Sequence, residues 1–161
     1  MTDKRAPHLV LGLGNELFTD EGVGVAAARR LAQRRLPGVE ALDGGTLGIG
    51  LLPAVEGRET LLVLDAVVDP ERRPGDLVVL DGAEIDRARG VLFSAHQVGI
   101  TEVLGASALA GRAPVRIAAV GMVPASLETG YGLSATAEER LGPMVDLALD
   151  ILARWEIQDH A

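Results

Sequence analysis

The sequence predicts a three-layer α/β domain built on a mixed five-stranded sheet, and three observations predict it. Short apolar runs of strand length alternate with segments of helical spacing from residue 8 to the end of the chain. The clearest run, Leu61-Leu62-Val63-Leu64 after Thr60, is apolar throughout, as a central parallel strand covered on both faces must be. The connector after it, with Pro70, Pro74 and Gly75, is shorter than the dozen or so residues of a parallel crossover. The fourth strand must therefore run antiparallel at an edge.

Composition narrows the function classes. At 161 residues, 48% hydrophobic and 24% charged, residues 1–161 suit one soluble domain with a single core. A net charge of −8 argues against nucleic acid, and the only rings, Phe18, Phe93, Tyr131 and Trp155, are too few for a stacking platform. The absence of cysteine removes disulfides, thiolate nucleophiles and cysteine metal sites. No signal peptide and no run of membrane-spanning length is present, so no membrane partner is expected and the expected compartment is the cytoplasm.

The elements follow in order. His8-Leu9-Val10-Leu11 reads as a buried strand, and the stretch from Gly12 to Gly24 is the turn after it. A helix from about Glu21 to Arg35 stops at Pro37-Gly38. Its Arg29, Arg30, Arg34 and Arg35 read as complements of the helix dipole that face water. Val39-Glu40-Ala41-Leu42 is a weak second strand ending at Asp43-Gly44-Gly45-Thr46. Thr46 is a candidate cap for an irregular helix carrying Gly48, Gly50 and Pro53. The third strand runs from Thr60 into Asp65, the fourth covers Asp76 to Leu80, and a helix from about Gly99 to Leu109 follows Ser94-Ala95-His96-Gln97. Val115 to Val120 is the fifth strand. The last helix is expected to open on a capping box, Thr136-Ala137-Glu138-Glu139, and to kink or restart at Gly142-Pro143.

The candidate chemistry lies where these strands end. Open α/β sheets bind ligands beyond the carboxyl ends of their strands, and Glu21, Asp43 and Asp65 all follow such ends. The glycine turn is not a nucleotide fingerprint, because Leu17 stands where GxGxxG needs glycine and two acids stand where phosphate needs bare N–H groups. Of the pair, Asp20 is the better helix cap, and Glu21 the candidate ligand. Gly22 and Gly24 weaken a first helical turn, which suits a close approach there by another chain or a ligand. Asp65, closing a buried strand, must be paired, bind metal or face a cleft. Among the three histidines, His96 alone stands in a loop before a helix. Glu21, Asp65 and His96 form an oxygen and nitrogen set suited to nickel, zinc or manganese, with coordination positions left open. Glu16, after the turn asparagine, reads as solvent-facing.

Gly12-Leu13-Gly14-Asn15 with Thr19-Asp20-Glu21-Gly22-Val23-Gly24, Asp43-Gly44-Gly45-Thr46, Leu64-Asp65-Ala66-Val67, His96-Gln97-Val98-Gly99, and Gly121-Met122-Val123-Pro124 with Ser126-Leu127-Glu128 resemble, in order and spacing, the nickel–iron hydrogenase maturation proteases. The resemblance covers nearly the whole chain. It implies a phosphorylase/hydrolase-like α/β/α sandwich with strand order 2-1-3-5-4 and the fourth strand antiparallel. It implies an endopeptidase that removes the C-terminal extension of the nickel-loaded hydrogenase large-subunit precursor, activating the hydrogenase. It assigns metal binding to Glu21, Asp65 and His96 and activity to Asp43. The expected enzyme has no cofactor of its own, its nickel arriving on the cysteines of the precursor, and Asp43 or Asp65 acts as general base on a water. The alternatives are a self-sufficient zinc or manganese hydrolase on the same ligands and a non-enzymatic nucleotide-binding module with Asp43 on a ribose.

Overall fold

A computed structural model of the chain describes residues 5–87 and 98–159. Its strands are β1 (His8–Leu13), β2 (Val39–Gly45), β3 (Thr60–Ala66), β4 (Leu77–Asp81) and β5 (Arg116–Met122), hydrogen-bonded in the order β2-β1-β3-β5-β4. β1 is parallel to β2 and β3, β3 is parallel to β5, and β4 is antiparallel to β5. The expected edge strand is thus in place. Its connector folds back at once, with Gly75 N–H donating to the Val123 carbonyl at 2.8 Å.

β3 is buried at all seven positions, as its apolar run required. Alternate side chains feed two separate cores. Val10, Leu62, Leu64, Val120 and Met122 pack beneath α1 (Val23–Gln33) and α5 (Ala135–Asp159), through Ala27, Leu31, Leu141, Met144 and Ala148. Leu9, Leu11, Leu61 and Val63 face the other way, onto Val55 of α2 (Leu52–Val55), Ile85 of α3 (Gly82–Arg87), and Ile100 and Val103 of α4 (Val98–Leu109). Both faces of the sheet are therefore covered, which leaves the strand ends as the places where polar chemistry reaches water.

Several local expectations are corrected. α5 is capped by Ser134, whose Oγ accepts from Ala137 N–H at 3.2 Å, and not by a box at Thr136. It continues through Gly142-Pro143 as one element, because neighbouring turns and the core contacts of Leu141 and Met144 hold it where proline removes a bond. Thr46 caps nothing. The chain enters a 3-10 turn at Gly48–Leu51 with no side-chain cap, then the single-turn α2. α3 was not expected, since six residues are too few for a helical period to register. Among the described residues no helix is long and apolar enough to cross a membrane.

Candidate active site

A 3-10 turn, Thr19–Gly22, leads into α1 and carries Glu21. Two glycines fix where it sits. A Cβ on Gly24 would lie 2.1 Å from the Leu64 carbonyl oxygen and 2.6 Å from that of Leu13, so the start of α1 rests directly on the ends of β3 and β1. Gly14, at φ +133°, turns the chain under the Glu21 carbonyl, which a Cβ there would strike at 1.8 Å. The close approach expected at this turn is therefore made by the protein's own strands. It is what brings Glu21 beside Asp65.

Both acids are buried: Glu21 is 8% exposed and Asp65 is 1% exposed. Asp65 Oδ1 accepts from Ala66 N–H at 2.8 Å, while Oδ2 has no hydrogen-bond partner among the described residues. Burial holds the Asp65 carboxyl well above the usual carboxylate range; the Ala66 N–H opposes that shift and the negative charge of Glu21 adds to it. A buried acceptor atom beside a second carboxylate is a place where a cation would relieve both desolvation and repulsion.

Asp20 has a different task from the one its position suggests. Its side chain does not cap the 3-10 turn. Fully buried, it accepts from Ala125 N–H at 2.9 Å, Ser126 N–H at 3.1 Å, Ser134 N–H at 2.8 Å and Ser134 Oγ–H at 2.7 Å. Thr19, at φ +47°, donates from Oγ1 to the Ser126 carbonyl at 2.8 Å. The Glu21 turn is in this way tied to the loop after β5 and to the cap of α5. A carboxylate bonded by four donors is satisfied, so Asp20 is committed to the fold, and Glu21 is the candidate ligand of the two adjacent acids.

Asp43 lies near the end of β2, opposite Gly12, and keeps 39% of its side chain exposed. Its Oδ2 accepts from Arg29 Nη2 at 2.8 Å. The same guanidinium also binds Glu16, Nη1 to Oε1 and Nη2 to Oε2. Hydrogen bonding to Glu16 is the first of the effects that raise the pKa of Arg29. Arg29 is half exposed, as expected, yet it is more than a dipole complement because it bridges two acids, and Glu16 is an ion-pair partner with only 30% of its side chain exposed. Residue spacing gave no sign of this bridge, because its three members lie on α1, the loop after β1 and the end of β2.

The structure brings Glu21 and Asp65 together and sets Asp43 at the neighbouring strand end. His96 lies outside the described residues. His8 pairs through Nδ1 with Thr60 Oγ1 at 2.9 Å, at the opposite end of the sheet. A cavity of about 690 Å³ lined by His8, Val39, Glu59 and Asp150 is also at that far end, away from the acids. The loops after β1, β2 and β5 expose Leu17 (62%), Leu47 (66%) and Tyr131 (78%).

Comparison with known proteins follows the same outline. The sequence model of the hydrogenase maturation protease family matches residues 25–151, which include Asp43, Asp65 and His96. The hydrogenase 2 maturation protease of Escherichia coli (strain K12) is 40% identical over 146 residues, 89% of each chain. Among solved structures, the hydrogenase maturating endopeptidase HybD from E. coli superimposes with a TM-score of 0.85 at 38% identity, over 91% of this chain and 92% of that one. The NiFe hydrogenase maturation protease HybD from Thermococcus kodakarensis gives 0.78 at 30% identity, over 89% of this chain and 97% of that one.

Proposed function

We propose a mechanism that proceeds from one premise: this chain belongs to the hydrogenase maturation protease family and is a peptidase. Its substrate is the large-subunit precursor of a nickel–iron hydrogenase, from which it removes the C-terminal extension in the cytoplasm. The observation that carries the reading is the buried Asp65, with Oδ2 lacking a hydrogen-bond partner among the described residues and the charge of Glu21 acting on it. Such a pair is costly unless something cationic completes it during function. Glu21 and Asp65, with His96, cap a nickel that the precursor already carries, and only a loaded precursor docks productively. Nickel so held polarises or positions the scissile carbonyl.

The proton of the attacking water goes to a carboxylate, and the two candidates differ in access. Asp65 is enclosed and committed to the metal with Glu21. Asp43 is open to solvent on β2, with β1 between it and the strand of Asp65, so Asp43 takes the proton. The apolar side chains exposed on the loops after β1, β2 and β5, Leu17, Leu47 and Tyr131, suit a protein substrate better than a nucleotide, and the Arg29 bridge on Asp43 leaves it poorly placed for a ribose.

The test is to strip the protease with chelator, remove the chelator and add nickel-loaded precursor under metal-free conditions. Full cleavage, with none of a nickel-free precursor, is the expected result. A stripped enzyme that stays inactive until zinc or manganese is restored makes the metal the enzyme's own and overturns the mechanism.

A further inference from the structure

We propose that Arg29 is a positioning residue of the cleavage site: clamped by Glu16, it holds the Asp43 carboxylate at the end of β2. The inference rests on the reading that Asp43 receives the proton of the attacking water.

The geometry carries it. Arg29 presents Nη1 and Nη2 to the two oxygens of Glu16 in an end-on bidentate pair, and the remaining hydrogen of Nη2 points to Asp43 Oδ2 at 2.8 Å. A guanidinium is planar with fixed donor directions, so anchoring it at one carboxylate sets where its other hydrogen points. Asp43 and Glu16 are like charges brought to one cation. Removing that cation leaves them repelling each other, and the exposed Asp43 side chain is then free to leave its rotamer. The anchors have different origins: Glu16 sits in the loop between β1 and the Thr19–Gly22 turn, whereas Arg29 stands in the middle of α1. Arg29 thereby ties the position of Asp43 to the loop that leads into the turn carrying Glu21. The pair is half exposed, with side-chain exposures of 50% for Arg29 and 30% for Glu16, so its contribution to global stability is small. Its consequence lies in geometry, since a misplacement of about 1 Å at a reacting group can cost on the order of a hundredfold in rate.

The experiment compares Arg29→Ala, Arg29→Lys, Asp43→Asn and the Arg29→Ala/Asp43→Asn double variant with the wild type. Each is assayed for steady-state cleavage of nickel-loaded precursor and for thermal melting. Arg29→Ala is expected to lower kcat by about tenfold or more with KM changed by less than about twofold. Arg29→Lys keeps the charge but not the fork and should recover part of the loss. If Arg29 acts through Asp43, the double variant is no slower than Asp43→Asn alone. Wild-type kcat in Arg29→Ala overturns the proposal, as does an Arg29→Ala effect that multiplies in full with that of Asp43→Asn. Should Arg29→Ala fail to fold, Arg29→Lys and Glu16→Gln carry the test, both expected to slow kcat and both overturning the proposal at wild-type rate. Asp43→Asn at wild-type rate removes Asp43 from the mechanism itself, which separates that failure from a failure of Arg29 alone.

Discussion

Replacing Asp65 by asparagine should inactivate the enzyme and make it more stable. On the proposed reading, Glu21 in the turn after β1 and Asp65 near the end of β3 are buried together for a ligand, and without it the fold bears the cost. Asp65 is 1% exposed, with one oxygen on the Ala66 N–H and the other without a hydrogen-bond partner among the described residues. Asparagine keeps the Oδ1 bond and removes the charge that Glu21 opposes. Relief of one unsatisfied buried acceptor is worth roughly 1–3 kcal/mol. For a chain of this length each kcal/mol shifts Tm by about 2–4 °C, so the melting temperature should rise by roughly 2–12 °C near neutral pH. The sign of the pH dependence follows from the direction of the shift. The folded state raises the proton affinity of Asp65 above its unfolded value of about 3.9, so stability from the bound proton is fully present below that value. It is lost as pH rises through the folded value. The advantage of Asp65→Asn is therefore small in acid and grows toward neutrality. Circular-dichroism melts of chelator-treated wild type and variant from about pH 5 to about pH 8.5 measure it, beside a precursor-cleavage assay. A variant that melts at or below the wild type throughout, or whose advantage is the same at every pH, refutes the account of Asp65 as a charge buried for function.

Two further substitutions test the frame around the site. Asp20→Ala removes the acceptor of four hydrogen bonds from Ala125, Ser126 and Ser134, and should cost at least about 3 kcal/mol, read as a fall in the urea midpoint. A loss below about 1 kcal/mol removes Asp20 as the tie between the Glu21 turn and the loop after β5. Gly24→Ala sets helix propensity, which favours alanine by about 1 kcal/mol, against a Cβ 2.1 Å from the Leu64 carbonyl oxygen. Backbone cannot yield as a side chain can, so overpacking of about 1–3 kcal/mol or more wins and Tm falls; a rise in Tm contradicts the packing described for α1.

The parts of the fold that were legible in the sequence are those set by local chemistry and chain length. The run ending at Leu64 declared β3 because no solvated strand can be apolar at successive positions. The short connector through Pro70 and Pro74 declared β4 antiparallel because a crossover could not fit. Errors of detail arose where tertiary contacts overrode a local signal. Thr136 and Glu139 have the spacing of a capping box, yet Ser134 takes the cap because Asp20 already holds its N–H and hydroxyl in place. Proline at position 143 predicts a break, but the buried face of α5 carries the helix past it.

At the site the division is sharper. Strand ends can be read from sequence, and so Glu21, Asp43 and Asp65 could be placed on one side of the sheet before any coordinates. What each acid touches could not be read, because the partners lie far away in the chain. Asp20 and Glu21 are neighbours of like charge, and either is an acceptable helix-start residue by type. Only the donors 105 to 114 residues further on, at Ala125, Ser126 and Ser134, show that Asp20 is the acid committed to tying the loops together. Arg29 shows the same limit from the opposite side: in the helix it is one of several arginines, and only the turn of the chain that brings Glu16 and Asp43 to its two nitrogens gives it a place at the site. The glycines join the two cases. Gly24 was conspicuous as a break of helical propensity and Gly14 turns the chain before it, and both are explained by carbonyl oxygens of Leu64, Leu13 and Glu21 that no side chain could stand beside. A residue type that weakens its own element marks a place where some other group needs the space, and here that group is the chain's own backbone, pressed close enough to set Glu21 beside Asp65.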